Sequence, residues 1–132
     1  MLILVLESST TAAKAMLYSS ETGVVELQTV PYAPEFNQNG MQDADYVLGE
    51  TLRVGRLVAA GRPVDMITVG GVWHSVLCCD SSMKAVTPVY SWSYTGAAAF
   101  TQQLRQDADY TKRYYHRSGC MPHVTYTPFK LM

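Results

Sequence analysis

The sequence has 132 residues, 48% of them hydrophobic and 16% charged, which fits one domain with an apolar core. Ten Lys and Arg against eleven Asp and Glu give a net charge of −1, so nothing indicates a nucleic-acid partner or a membrane surface. No apolar run has the length of a membrane span or a signal-peptide core, and three cysteines, an odd and sparse number, indicate reduced thiols in a cytoplasmic protein.

The first third of the chain predicts three antiparallel strands joined by short turns. Apolar and β-branched residues fill Leu2–Leu6, Ala12–Tyr18 and Val24–Val30, which is typical of strands. Ser20–Gly23 indicates a turn in which the glycine takes a positive φ. Pro31–Gly40 contains two prolines and a glycine, which favours an irregular surface loop.

A helix is predicted over Ala44–Ala60, followed by a strand. Apolar residues recur at near-helical spacing through this stretch, Asp43 is suited to cap its N-terminus, and Gly61 follows its end. Asp65–Gly70 then indicates a central strand of the sheet, entered by a helical crossover.

The remainder of the chain predicts shorter elements. Asp80–Lys84 indicates a hairpin turn, and Val86–Trp92 returns as an edge segment because it contains a proline. Ala97–Leu104 and Ala108–His116 have the pattern of two short helices, and Asp107 is suited to cap the second.

The turn after the first predicted strand contains the residue types of a phosphate site. A turn of small hydroxyl residues leaves backbone N–H groups and hydroxyls to face an anion. Glu7 precedes this turn, where a carboxylate can hold a divalent cation through water, and Lys14 adds a compact positive charge for a phosphate. An ordinary hairpin with a Ser/Thr loop is the alternative, because the turn lacks the Gly-rich sequence of a P-loop.

His74 is the candidate ligand residue in the middle of the chain. It follows a Gly-Gly bend and Trp73, near the end of a predicted strand, and open α/β sheets bind ligands at the carboxyl ends of their strands. An imidazole hydrogen-bonds to a polyol while an indole offers it an apolar face. A structural histidine is the alternative.

The phosphate-type turn resembles a motif of a known family. Glu7–Ala15, E-S-S-T-T-A-A-K-A, resembles the first phosphate motif of the FGGY carbohydrate kinases, D-x-G-T-T-x-x-K-A. Glu7 stands at the family's Asp and Ser9 at its Gly. The resemblance implies that Glu7 positions Mg²⁺ through water. It also implies that ATP phosphates are bound by Ser8, Ser9, Thr10, Thr11 and Lys14.

Three further segments resemble the same family in the same order, especially its gluconate-kinase-like and xylulokinase-like members. Ile67–Val76 is similar to the family's Met-His-Ser or Met-His-Gly segment, with Trp73 at the Met. Val86–Ala98 is similar to L-T-P-x-I-x-W-x-D-x-R, and Tyr115–His123 to Y-x-R-T-G-C-P-x-H. Tyr94 stands at the family's Asp and Gly96 at its Arg. The sugar-binding residues implied by the resemblance are Trp73, His74, Trp92 and His123.

The resemblance implies both a fold and an activity. The fold is the ribonuclease-H-like mixed α/β sheet of the actin-like ATPases, beginning with a three-strand antiparallel meander. The activity is transfer of the γ-phosphoryl group of ATP, with Mg²⁺, to a hydroxyl of a sugar or sugar acid. Family members are much longer, and their general base, second phosphate motif and adenosine pocket follow the matched region. We therefore expect residues 1–132 to be the N-terminal part of the first domain of such a kinase, inactive without the missing C-terminal part.

A non-catalytic relative that binds a small polyol or a protein partner is the alternative function. The loss of the Asp and Arg at Tyr94 and Gly96 favours it. In that case exposed edge strands would promote self-association, with a homodimer as the simplest product.

Overall fold

The computed structural model describes residues 1–132, and its N-terminal strands form an antiparallel meander. Strand β1 is Leu2–Ser8, β2 is Ala12–Ser19 and β3 is Gly23–Pro31. β2 pairs with both β1 and β3, with a register shift between Leu17 and Tyr18. The three predicted strands are confirmed, and each is longer than predicted.

Helix α1, Ala44–Ala59, packs on one face of this meander. The side chain of Asp43 caps it by accepting the Tyr46 N–H at 2.8 Å, and Ala60 ends it in the left-handed conformation, at φ 49°. Its buried valines contact the leucines and alanines of β1 and β2. The approach is close, because a Cβ at Gly55 would lie 2.6 Å from the Leu6 side chain. The predicted helix and its cap are confirmed.

Strand β6, Met66–Gly71, pairs with β1 in parallel, as a helical crossover requires. The sheet order is β3-β2-β1-β6, so β6 lies at the edge and the prediction of a central strand is wrong. All six of its residues are exposed. An apolar run of this kind is typical of a strand that other elements cover on both faces. Burial of those faces depends on the elements packed against the strand and not on its own sequence. In this structure β6 pairs with β1 alone.

A second, small sheet joins distant parts of the chain. Strand β4 is Asn37–Gln38, β5 is Met41–Gln42 and β7 is Val89–Tyr90, in the order β4-β5-β7. The prediction of an irregular loop over Pro31–Gly40 is therefore wrong in its second half. Asn39 and Gly40 both have positive φ, 54° and 74°, and an Asn-Gly pair in this conformation makes a tight hairpin.

The C-terminal third is helical. Helix α2 is Ala98–Gln106, α3 is Ala108–Ser118 and α4 is Thr127–Lys130, and Asp107 caps α3 by accepting the Tyr110 N–H at 2.8 Å. The predicted hairpin turn at 80–84 is also present, closed by the Asp80 N–H donating to the Lys84 carbonyl at 2.9 Å. None of the helices has the length and hydrophobicity needed to cross a bilayer.

Candidate functional site

The two predicted ligand segments start from neighbouring strand ends. Ser8 and Gly71, the last residues of β1 and β6, are register partners in the parallel pair. The hydroxyl turn leaves β1 there, and the segment with Trp73 and His74 leaves β6. Parallel strands present their carboxyl ends at one edge of the sheet, where open α/β proteins bind ligands. The fold thus brings the predicted phosphate and sugar segments to a common edge.

Ser8 and Ser9 shape the turn with their hydroxyls. The Ser9 hydroxyl donates to the Ala12 carbonyl at 2.8 Å and accepts the Ala12 N–H at 3.1 Å. The Ser8 hydroxyl shares a hydrogen bond of 3.1 Å with the phenol of Tyr32. Both hydroxyls are therefore engaged inside the protein, whereas the side chain of Thr11 is exposed at the tip of the turn.

Glu7 and Lys14 form an ion pair across β1 and β2. The Lys14 Nζ lies 3.1 Å from the Glu7 Oε1, and their side chains are 38% and 46% exposed. A pair this exposed contributes at most about 1 kcal/mol, so either partner can be released to another ligand at small cost.

The chain contains no group of three or more acidic, histidine or cysteine side chains that could hold a metal ion. Mg²⁺ commonly keeps several waters and takes one or two carboxylates together with phosphate oxygens. Glu7, which is half-exposed beside the turn, has a carboxylate that is compatible with that mode of binding.

Thr10 is held at both its carbonyl and its hydroxyl. Its carbonyl accepts the Asn37 Nδ2 at 2.7 Å and the Gln42 Nε2 at 3.0 Å. Its Oγ1 accepts the indole Nε1 of Trp92 at 3.0 Å. The roles of Asn37 and Gln42 were not predicted. The Asn-Gly hairpin between them was the available signal, because it places Asn37 opposite Gln42 on neighbouring strands.

Lys130 joins the two predicted sugar segments, and this role was also not predicted. Its Nζ donates to the carbonyl of His74 at 2.5 Å and to the carbonyl of Ser91 at 2.6 Å. Burial lowers the pKa of the Lys130 amine. His74 itself has a φ of 61°, a left-handed conformation that is uncommon for a residue with a side chain.

Two aromatic rings lie near His74. The imidazole lies 5.1 Å from the ring of Tyr126 and 6.1 Å from the indole of Trp73. The ring of Tyr126 is also 5.8 Å from that of His123. Tyr126 thus lies between the two predicted sugar-binding histidines.

The other predicted sugar-binding side chains face solvent or a cavity. Trp73 is 82% and Trp92 48% exposed, so both offer apolar ring faces. The His123 Nδ1 accepts the N–H of Thr125 at 3.2 Å. With α2, His123 lines a cavity of about 440 Å³ whose polar wall includes Gln102. The structure therefore brings His74, Trp73 and Trp92 to the β1–β6 edge, with His123 connected to them through Tyr126.

Tyr94 and Gly96, which stand at the Asp and Arg of the motif quoted above, are coupled sterically. A Cβ at Gly96 would overlap the phenol of Tyr94. The Tyr94 ring also packs 4.7 Å from that of Tyr90, and its backbone nitrogen would lie 2.5 Å from a Cβ at Gly40. Tyr94 thus fills the space that a side chain at position 96 would need.

Comparisons with known proteins agree with the resemblance seen in the sequence. No family model matches the chain. The gluconokinase of Bacillus subtilis (strain 168) is 24% identical over 124 residues, an alignment that covers 89% of this chain and 24% of that protein. The predicted resemblance to a carbohydrate kinase is confirmed.

Solved structures of sugar kinases superimpose on nearly the whole chain. A gluconate kinase from Lactobacillus acidophilus matches with a TM-score of 0.82 at 18% identity, covering 99% of this chain and 28% of that one. A xylulose kinase from the same organism matches at 0.83 and 18%, covering 98% and 27%. The glycerol kinase of Plasmodium falciparum, solved with ADP, matches at 0.80 and 15%, covering 98% and 28%.

The fold is therefore the mixed α/β fold of these sugar kinases, as predicted. The chain spans about a quarter of the length of the relatives it matches.

Proposed function

We propose that this chain forms the N-terminal part of an ATP-dependent sugar or sugar-acid kinase. The observation that carries the proposal is the common position of the hydroxyl turn and the His74 segment at the carboxyl ends of β1 and β6. A kinase must hold a phosphate donor and an alcohol acceptor side by side, because phosphoryl transfer depends mainly on positioning.

Each candidate residue has a role that suits its chemistry. Thr10, Thr11 and Lys14 bind ATP phosphates, with Ser8 and Ser9 shaping the turn, and Glu7 holds Mg²⁺ through water. Bound Mg²⁺ would neutralise charge on the phosphates. The sugar lies against the indole faces and the imidazoles. Its binding residues are Trp73, His74, Trp92 and His123.

The reaction also needs a group outside this set. The sugar oxygen forms its bond to the γ-phosphorus as the bond to ADP breaks, and a base accepts the hydroxyl proton. His74 and Trp92 contact aromatic rings, Lys130 and Thr10, and we assign none of these groups as the base. We infer that the base belongs to the remaining part of a cytoplasmic kinase, and that residues 1–132 alone bind ligands without turnover.

Titration calorimetry with ATP and Mg²⁺ tests this function. We expect the chain to bind ATP, and Lys14→Ala to weaken that binding about tenfold, because a charge-assisted contact to phosphate is lost. Lys84→Ala is the matched control, since Lys84 is an exposed lysine of the 80–84 turn. Chelation of Mg²⁺ should weaken binding in the wild type and have less effect in Glu7→Gln. Equal ATP affinities of the wild type and Lys14→Ala would contradict the assignment.

A non-catalytic polyol-binding relative is the second candidate, favoured by the Tyr94–Gly96 pair. The Tyr94 phenol occupies space beside Gly96 where the related kinases' motif has an Arg. This candidate predicts tryptophan fluorescence changes with gluconate, xylulose or glycerol in the absence of any ATP binding. It also predicts a homodimer or a protein partner, which sedimentation analysis of the full chain would detect.

A further inference from the structure

The hydrogen bond from Trp92 to Thr10 constrains the direction of the Thr10 hydroxyl proton. An indole Nε1–H is a donor and has no acceptor capacity. In the 3.0 Å contact, Thr10 Oγ1 must therefore be the acceptor. The hydroxyl's own proton is then directed away from Trp92, because the Trp92 N–H occupies one of the oxygen's lone pairs.

We propose that Trp92 is a positioning residue that orients the Thr10 hydroxyl so that its O–H donates to a phosphate oxygen of ATP. The inference rests on the proposed function and adds a role for Trp92 other than contact with the sugar. The two residues are 82 positions apart in sequence, so the contact exists only because the β7 segment lies against the turn.

The rest of Thr10 is held rigidly enough for such an orientation to matter. Two side-chain amides, from Asn37 and Gln42, hold its carbonyl, so its backbone has little freedom. A hydroxyl without a partner rotates among staggered positions and can bond to nearby backbone groups. A fixed donor lowers the cost of ordering the site when an anion binds.

The other hydroxyls of the turn do not have this arrangement. The Ser9 hydroxyl donates its proton to the Ala12 carbonyl, and the Ser8 hydroxyl shares a hydrogen bond with the Tyr32 phenol in which either oxygen can be the donor. The hydroxyl of Thr11 forms no hydrogen bond within the chain, and its side chain is exposed. Thr10 is therefore the hydroxyl of the turn whose side-chain partner can act only as a donor to it.

Spectroscopy tests the hydrogen bond without any ligand. The chain has two tryptophans, so a ¹⁵N–¹H spectrum contains two indole signals, and Trp92→Phe identifies one of them. We expect Thr10→Val to shift the Trp92 indole signal, Thr10→Ser to leave it near its wild-type position, and Thr22→Val, in an exposed turn, to leave it unchanged.

Titration with inorganic tripolyphosphate, and then with ATP and Mg²⁺, tests the positioning role. We expect Trp92→Phe to weaken binding about fivefold to tenfold, as loss of one oriented hydrogen bond does. Thr10→Val should weaken it at least as much. The double variant should bind no more weakly than Thr10→Val alone, because both changes remove one coupled contact. Tripolyphosphate contains no sugar, so a sugar-contacting role of Trp92 does not affect the result.

The outcomes separate this inference from the proposed function. An indole signal insensitive to Thr10→Val shows that the hydrogen bond is absent and overturns the inference. Normal tripolyphosphate affinity in Trp92→Phe also overturns it, while leaving the kinase proposal intact if Lys14→Ala still weakens ATP binding. If the wild type binds neither anion, both fail. Thr10→Ser, which keeps the hydroxyl, should bind more tightly than Thr10→Val, so that the loss in Thr10→Val is assigned to the hydroxyl.

Discussion

Replacement of Lys130 by Met should destabilise the chain while keeping an unbranched side chain that is shorter by one atom. The Lys130 ammonium donates to the carbonyls of His74 and Ser91, which lie 56 and 39 positions away in sequence. Hydrogen bonds to a charged group contribute about 1.5–3 kcal/mol each. Desolvation of the ammonium and partial replacement by water reduce the net loss, so we expect about 2 kcal/mol for the pair.

Thermal unfolding followed by circular dichroism measures this loss. For 132 residues, an unfolding entropy of about 2.1 cal/mol/K per residue converts 2 kcal/mol into a Tm decrease of about 7 °C. Lys84→Met is the matched control and should leave Tm within about 1 °C. If Lys130→Met unfolds at the temperature of Lys84→Met, Lys130 does not join the His74 and Ser91 segments in solution and the reasoning is refuted.

Three further predictions concern stability. Burial lowers the pKa of Lys130 below its ordinary value of 10.5, so between the folded and unfolded pKa values the unfolded chain binds more protons than the folded chain. The stability of the wild type relative to Lys130→Met should therefore rise with pH through that window. A difference in denaturant midpoints that does not change with pH would contradict this. Gly96→Ala should lower stability by about 1–3 kcal/mol because the new Cβ overlaps the Tyr94 phenol, and in a Tyr94→Ala background the same change should be nearly neutral by urea unfolding. Asp43→Ala should cost about 1 kcal/mol through loss of the α1 cap, whereas Asp43→Asn, which keeps an acceptor, should cost less.

Elements defined by local chemistry were predicted correctly from the sequence. The strands β1–β3 follow from runs of apolar and β-branched residues separated by turn residues. Helix α1 follows from its spacing together with Asp43 and Gly61 at its two ends, and α3 from Asp107. These signals lie within a few residues of the structure that they specify, so one sequence is enough to detect them. The four motif segments likewise contained the resemblance to carbohydrate kinases.

Contacts between distant residues were decided by the tertiary structure. The exposed edge position of β6 depends on which strands pair, not on its own apolar composition. The amides of Asn37 and Gln42 reach Thr10 because the Asn-Gly hairpin turns toward it, and Lys130 reaches two carbonyls because α4 ends beside them.

The candidate site was also predicted in part from the sequence and decided in part by the tertiary structure. Its residue types were visible in the sequence, because hydroxyls, a lysine, histidines and tryptophans have chemistry suited to phosphate and sugar. The sequence did not show which hydroxyl is available to a phosphate. The hydrogen bonds of Ser8, Ser9 and Thr10 involve partners up to 82 positions away in sequence. Side-chain chemistry is a property of each residue, whereas the direction of a hydroxyl proton depends on neighbours that only folding brings into contact.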